Sequence, residues 1–307
     1  MTKSNSKTSL TLTAYMQQLI DALTERGQLG TARNYQRTLN SINACFSHAS
    51  PTLRDVSEKF IATYNAYLQR RGVVRNTVSF YMRILRAVYN KAITQGLVNP
   101  PVRSPFADVY TGIDRTHKRA VGSDIITLLA RLDLAAYPTL ALARDMFIFS
   151  FCTRGMAFVD MAFLRTSDIH GNNIRYVRHK TSQRISVHIE PPVHDIIRRY
   201  SSATSEYVFP IIATADRRRA YEQYQIALNY HNRLLKRLGA MIGIKESLST
   251  YTARHSWATA ARDCGVPISV ISAGMGHSSE RTTQIYLASL DAAAIDDANS
   301  RIVAGII

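Results

Sequence analysis

One stretch of this chain breaks its otherwise helical period. Ile174, Tyr176 and Val177 precede the polar run HKTSQR, and Ile185, Val187 and Ile189 alternate after it. Alternation at a period of two marks half-buried strand, so residues 173–190 predict a β-hairpin with a basic tip. Pro191 and Pro192 close it. The expected fold is therefore mainly helical with one small sheet.

Before the hairpin, Leu12, Tyr15, Met16, Leu19, Ile20 and Leu23 fall at helical spacing, with Gly27 and Gly30 as the stop. A second helix is expected from about Thr31, with Tyr35, Leu39, Ile42 and Phe46 on one face and Arg33 and Arg37 off it. A third runs from Ser57 through Ile61, Tyr64 and Leu68 to Gly72. In the fourth, from Asn76, the stripe Val78, Tyr81, Leu85, Val88, Tyr89 and Ala92 ends at Gly96, while Arg83, Arg86 and Asn90 point elsewhere. These four helices predict a compact basic unit over 11–105, behind a disordered polar tail, 1–10. Pro100, Pro101, Pro105 and Gly112 then break periodicity, and 106–119 reads as a linker. A second domain, 120–307, is expected to open with a helix capped by Ser123 and to bury a helix over 139–151. Past the hairpin, helices are expected near 193–200, 219–241, 252–263 and 268–274. A length of 307 residues also suggests two domains.

Charge narrows the partner. Lys and Arg number 38 against 22 Asp and Glu, a net +16. Up to Arg103 there are fourteen of the former and four of the latter, so +10 of the excess lies in the first third. At its plainest this is a solvated surface; so local an imbalance also fits phosphate binding. No run approaches the ~18 apolar residues of a membrane-spanning helix. The start, MTKSNSKTSLTLTAYMQQL, has neither a signal-peptide block nor a myristoylation pattern. Cys45, Cys152 and Cys264 show no zinc spacing or disulfide framework, which points to a reducing cytoplasm.

A polyanion-binding chain without metal-ligand clusters or a glycine-rich phosphate loop must meet phosphoryl charge with its own cations. Arginine suits, because its planar fork takes two phosphate oxygens and stays charged. SFCTRGMAFVDMAFL sets Arg154 in a largely apolar segment, and YTARHSWATAA does the same for Arg254 and His255. Each such guanidinium needs an acid or an anion. Singly, each residue has a plain use. Arg154 can pair with Asp160, His277 in GMGHSSERTTQIYL can mark a helix boundary, and Tyr286 nine residues on can be half-buried core.

As an ordered set, TRGMAFVDMAFLRTSDI, HKTSQRISVHI, TYTARHSWATAA and GMGHSSERTTQIYL resemble the tyrosine recombinases, the phage integrase family. TARNYQRTLNSI and NTVSFYMRILRAVYNKAITQGLV resemble that family's SAM-like core-binding domain, so the likeness covers nearly the whole chain. The R-G-M-x-F-x-D form looks like a distinct branch. The resemblance implies a mainly α fold: an N-terminal four-helix core-binding domain, then a mixed α/β catalytic domain with a small β-sheet. It implies Tyr286 as nucleophile, Arg154 and Arg254 on the non-bridging phosphate oxygens, and His277 as a further hydrogen-bonding group. Lys180 matches the hairpin lysine, which would protonate the leaving 5′ oxygen. Asp160 matches the acid that supports the first arginine, about three residues later than usual, and His255 a packing or orienting residue. Where the family usually has histidine, three residues before the second arginine, this chain has Tyr251. A phenol of pKa about 10 is a poor base at neutral pH, so Tyr251 is assigned to positioning. No metal or other cofactor is implied.

The resemblance further implies double-stranded DNA with paired recombination sites as substrate, in a cytoplasmic, nucleoid-associated setting. Arg33, Arg37, Arg75, Arg83, Arg86, Asn90 and Lys91 are its candidate contacts. A tetrameric synapse is implied, with the C-terminal tail docking in trans. In that tail Ile295, Ala298, Ile302 and Val303 form a short apolar stripe, which can equally pack on its own domain. The match begins near residue 10 and leaves no room for a separate arm-binding domain, which favours a simple recombinase such as a DNA invertase. Integration and dimer resolution stay open as roles. A type IB topoisomerase-like enzyme and a non-catalytic DNA-binding regulator are the competing classes.

Overall fold

The computed structural model describes residues 10–114, 119–277, 279–287 and 303, except the side chains of Ile285 and Tyr286. The polar tail before residue 10, and Ile295, Ala298 and Ile302 of the expected tail stripe, lie outside the described residues. The chain divides into two units, Met1–Arg115 and Thr116–Ile307.

Four amphipathic helices build the amino-terminal unit: α1 (Leu12–Glu25), α2 (Leu29–Cys45), α3 (Glu58–Arg70) and α4 (Arg75–Thr94). Their apolar stripes meet in one core around Met16, Ile42, Ile61, Tyr64, Met82 and Leu85. The hydroxyls of Thr11 and Ser57 accept from the Ala14 and Phe60 N–H groups, meeting donors that a first helical turn leaves unpaired. Gly27 ends α1 at φ +68, as expected. Gly30 is not a stop. It lies in the first turn of α2, which begins two residues before Thr31. One left-handed glycine turns the chain, and the second is free to enter the next helix.

Residues 106–114, within the expected linker, run along α4. Phe106 is buried in the core. Asn76 and Asp114 exchange two hydrogen bonds, at 2.7 and 3.1 Å, and the Ser79 hydroxyl donates to the Gly112 carbonyl at 2.5 Å.

The second unit holds α5 (Ser123–Arg131), α6 (Pro138–Cys152), α7 (Phe158–Ala162), α8 (Pro191–Tyr200), α9 (Arg217–Met241), α10 (Thr250–Asp263), α11 (Ile268–Gly274) and α12 (Glu280–Tyr286). α6 is apolar nearly all round and is packed by α5, α8, α9 and α10, as a core helix should be. Its one buried acid, Asp145, accepts from Arg144, Arg199 and Tyr200, which offsets the cost of burying the charge. Gly122, not Ser123, holds the N-cap position of α5; Ser123 is already helical. Pro191 and Pro192 close the hairpin and also open α8, where a missing N–H costs nothing.

The hairpin forms and gains a third strand. β1 (Ile169–His170), β2 (Asn173–Val177) and β3 (Arg184–His188) make an antiparallel sheet in the order 1-2-3. Tyr176 faces Ile185 and Ile174 faces Val187 across β2 and β3. Ile174, Ile185 and Val187 point into the core, while Arg175, Arg184 and Ser186 face out, as the alternation requires. The connection, residues 178–183, carries Lys180.

Candidate active site

Arg154 does not lie on an apolar helix. α6 stops at Cys152, and the turn to α7 puts Arg154 and Gly155 in successive left-handed conformations, φ +59 and +73. Gly155 cannot carry a side chain, because a Cβ there would lie 2.8 Å from Arg254 Cα. Arg154 tolerates this backbone at a cost of about 1 kcal/mol. Buried bonds hold the turn: Thr153 Oγ1 donates to the Phe149 carbonyl at 2.6 Å, and Ser150 Oγ to the Met156 carbonyl at 2.8 Å. Backbone strain fixed by its surroundings in this way clusters at functional sites. The other described non-glycine residue with such backbone is Ser182, at the hairpin tip. The Arg154 side chain is half-buried and makes one long bond, Nη1 to the Ser186 carbonyl at 3.4 Å, so most of its donors stay available to an anion.

α10 brings Arg254 beneath that turn, 5% exposed. Its Nη1 donates to the Gly155 carbonyl at 2.6 Å, and its Nη2 to the Met275 carbonyl at 2.7 Å and to His277 Nε2 at 2.9 Å. These bonds make burial of the charge tolerable. They also join the Arg154 turn, the end of α11 and His277 into one cluster. A guanidinium has no acceptor, so His277 Nε2 accepts, and the proton is assigned to Nδ1, which donates to Thr283 Oγ1 at 2.9 Å. Burial first, then the charges of Arg254, Arg178 and Lys180, push the His277 pKa down to about 3. The ring is therefore neutral at pH 7. Gly276, just before it, has φ +63, and a Cβ there would lie 2.5 Å from Ile185 Cδ1, so this turn presses on β3.

Other expected residues fall around this cluster. Lys180 is exposed in the hairpin turn, near enough to depress His277. Tyr251 lies on the first turn of α10, 52% exposed, and His255 is half-buried on the same helix. α12 packs on α10 and α11 and ends at Tyr286, whose side chain lies outside the described residues.

Asp160 is a correction. It does not hold Arg154. Buried on α7, its Oδ1 accepts from the His179 backbone N–H at 2.9 Å and meets His179 Nδ1 at 3.1 Å, while its Oδ2 lies 4.0 Å from Arg178 Nε. The left-handed turn carries the Arg154 side chain toward β3 instead. Arg178, His179 and Thr283 belong to this neighbourhood and were not singled out from sequence. A cation two residues before Lys180 reads as one more solvated charge, and only its 5% exposure separates it from Arg175 and Arg184.

In the amino-terminal unit the seven expected contact residues divide. Arg75 stacks 3.9 Å from the Tyr110 ring and pairs with Asp114 at 3.5 Å. Arg86 donates to Thr111 Oγ1 at 3.2 Å, and Lys91 to the Tyr35 hydroxyl at 3.3 Å. Those three are engaged within their own unit. Arg37, Arg75, Asn90 and Lys91 are exposed, and Arg33, Arg83 and Arg86 half-buried. Arg37 also lines a concavity of about 500 Å³ between α2 and α4, with Asn34, Asn40, Asn76, Thr77, Phe80 and Tyr81. Its amides were not anticipated.

Comparison with known proteins places both units. Residues 11–103 match the phage integrase SAM-like domain, and residues 134–293 match the phage integrase family. The tyrosine recombinase XerD of Lacticaseibacillus casei is 26% identical over 85% of this chain and 89% of its own length. XerC of Syntrophus aciditrophicus (strain SB) is 24% identical over 84% and 86%. Among solved structures, a lambda integrase dimer bound to a COC′ core site superposes with a TM-score of 0.67 at 15% identity, covering 90% of this chain and 95% of that one. The Tn1549 transposon integrase in complex with circular intermediate DNA gives 0.64 at 13% identity, covering 94% and 99%.

Proposed function

The chain belongs to the phage integrase family, the tyrosine recombinases, and on that premise we propose that it recombines paired DNA sites through a 3′-phosphotyrosine intermediate. The observation that carries the reading is the Arg254 cluster. One buried guanidinium joins the Arg154 turn to His277, and His277 bonds the helix that ends in Tyr286.

In this reading Tyr286 Oη, its proton released to solvent, attacks phosphorus. The bond to O5′ breaks, and the Lys180 ammonium gives that oxygen its proton. Arg154, with most of its donors unused, and Arg254, fixed by carbonyls, meet the charge that builds on the non-bridging oxygens. Because Arg254 and His277 are already held by their own hydrogen bonds, that part of the site needs little reorganisation as the charge develops. The neutral His277, with Nε2 on Arg254 and Nδ1 on Thr283, orients the Arg254 guanidinium without adding a further positive charge to desolvate. Tyr251, exposed one turn before Arg254, positions rather than deprotonates. The phosphotyrosine keeps the energy of the broken linkage, so attack by a partner strand's 5′ hydroxyl reseals the DNA without ATP.

The α2–α4 concavity, with Arg33, Arg83 and Asn90 around the same unit, supplies the proposed DNA-binding face of the amino-terminal unit. A lambda integrase tetramer has been solved on a Holliday junction. By analogy the active assembly here is a tetramer, with the tail after Tyr286 docking on a neighbour, and the outcome is integration, excision or inversion of a DNA segment. The test is a nicked suicide duplex with the protein's own sites. A covalent adduct on a denaturing gel that vanishes in Tyr286→Phe supports the reading. Relaxation of supercoils without strand exchange points to a topoisomerase, and binding without any adduct to a regulator.

A further inference from the structure

The two residues before Lys180 are pinned, while the tip beyond them is not. Asp160 has a side chain 1% exposed, on α7. It receives both the backbone N–H and the ring of His179. Arg178, 5% exposed, donates Nη1 to the Gly276 carbonyl, next to His277, and lies 4.0 Å from the free oxygen of Asp160. The hairpin base is thus tied to α7 on one side and to the turn before His277 on the other. The turn closes on itself through Arg178 N–H to the Gln183 carbonyl at 2.9 Å and Ser182 N–H to the Arg178 carbonyl at 2.8 Å. Lys180, Thr181, Ser182 and Gln183 are exposed.

We propose that Asp160 is a positioning residue for the leaving-group step: through His179 and Arg178 it fixes the base of the hairpin turn and sets the reach of the Lys180 ammonium. The proposal rests on Lys180 being the general acid. A buried carboxylate is expensive unless its partners are in place, so the Asp160 contacts hold one arrangement of the turn rather than several. With the chain fixed at residues 178 and 179, Lys180 can move only by its own torsions and those of the tip. Releasing the anchor lets the whole turn shift, and about 1 Å of misplacement at a reacting group can cost on the order of 10²-fold in rate. This role differs from support of Arg154, which Asp160 does not touch.

The experiment compares single-turnover cleavage of a suicide duplex with that of the same duplex carrying a 5′-bridging phosphorothiolate at the scissile bond. In the first, the P–O5′ bond breaks and oxygen leaves as a hydroxyl with the proton from Lys180. In the second, the P–S bond breaks and sulfur leaves as thiolate, since a thiol near pKa 8.5 needs no acid to depart. Lys180→Ala is expected to lose about 10²-fold or more on the oxygen substrate and to return to near wild type on sulfur. Asp160→Asn is expected to lose roughly tenfold on oxygen and to be restored on sulfur in the same way. Equal slowing of Asp160→Asn on both substrates, or no slowing on oxygen, overturns the proposal. If Lys180→Ala is not restored, the general-acid reading itself falls and takes the anchor with it. His179→Ala, whose ring is 44% exposed, repeats the test on a folded protein should Asp160→Asn not fold. There about threefold slowing on oxygen alone is expected, and equal slowing on both substrates, or none on oxygen, would overturn it.

Discussion

The two units use positive charge in opposite ways. In the amino-terminal unit Arg37, Arg75 and Lys91 are exposed, Arg75 while also touching Tyr110 and Asp114 and Lys91 while touching Tyr35, and Arg86 is half-buried on Thr111. In the second unit Arg254 and Arg178 are buried to 5% exposure and bonded to carbonyls that belong to other turns. An exposed cation gives affinity that salt erodes, through counterion release. A buried, bonded cation gives geometry that salt barely reaches. On the proposed reading, the first unit holds DNA and the second acts on it.

Arg254→Ala probes that contrast most severely. Its removal takes away both the proposed phosphate ligand and the bonds joining three turns, so cleavage should fall by at least about 10³-fold. The melting temperature should fall as well. Arg154→Ala should cost about 10²-fold or more in cleavage with little change in melting, because its side chain makes one long bond. Equal loss of stability in the two variants would blur the distinction. In the other unit, Arg37→Ala should weaken binding at every DNA sequence and lower the salt slope by about 0.9, leaving the cleavage rate of saturated complex unchanged. A change in sequence preference instead would make Arg37 a base reader.

The smallest effect concerns acid. His277 and the buried His231 both have pKa values pushed down to about 3, chiefly by burial. As pH falls below 6.5 the unfolded chain takes up protons that the folded rings refuse, so this contribution to stability is present above 6.5 and is lost as pH falls toward 3. His231→Leu should flatten the melting profile between pH 6 and about 4. An unchanged profile would show that other groups govern it.

Periodicity made most of this fold legible, since it reports which face of an element is buried. The α4 stripe and the β2–β3 alternation both emerged with the expected faces inward. Periodicity does not report what a polar side chain touches. Arg154 looked like a charge on an apolar helix because its flanks are apolar, yet Gly155 and a left-handed turn take it out of the helix. Asp160 was assigned to Arg154 by its likeness to the family's supporting acid, but its partners lie eighteen and nineteen residues further on. The contacts of Arg75 and Arg86 were not legible, because Tyr110, Thr111 and Asp114 return to α4 from a segment that read as linker. Arg254, His277 and the order of the motifs were legible, since no single helix face explains a buried arginine followed by a glycine–histidine turn.

The most direct test is single-turnover formation of the covalent adduct on a nicked duplex, followed from about 50 to 200 mM salt beside the dissociation constant. The structure predicts that the dissociation constant rises at least about tenfold while the rate on fully bound DNA stays within about twofold. A cleavage rate that falls in step with affinity would contradict the separation of binding from chemistry, and absence of any adduct at low salt would remove the chemistry itself.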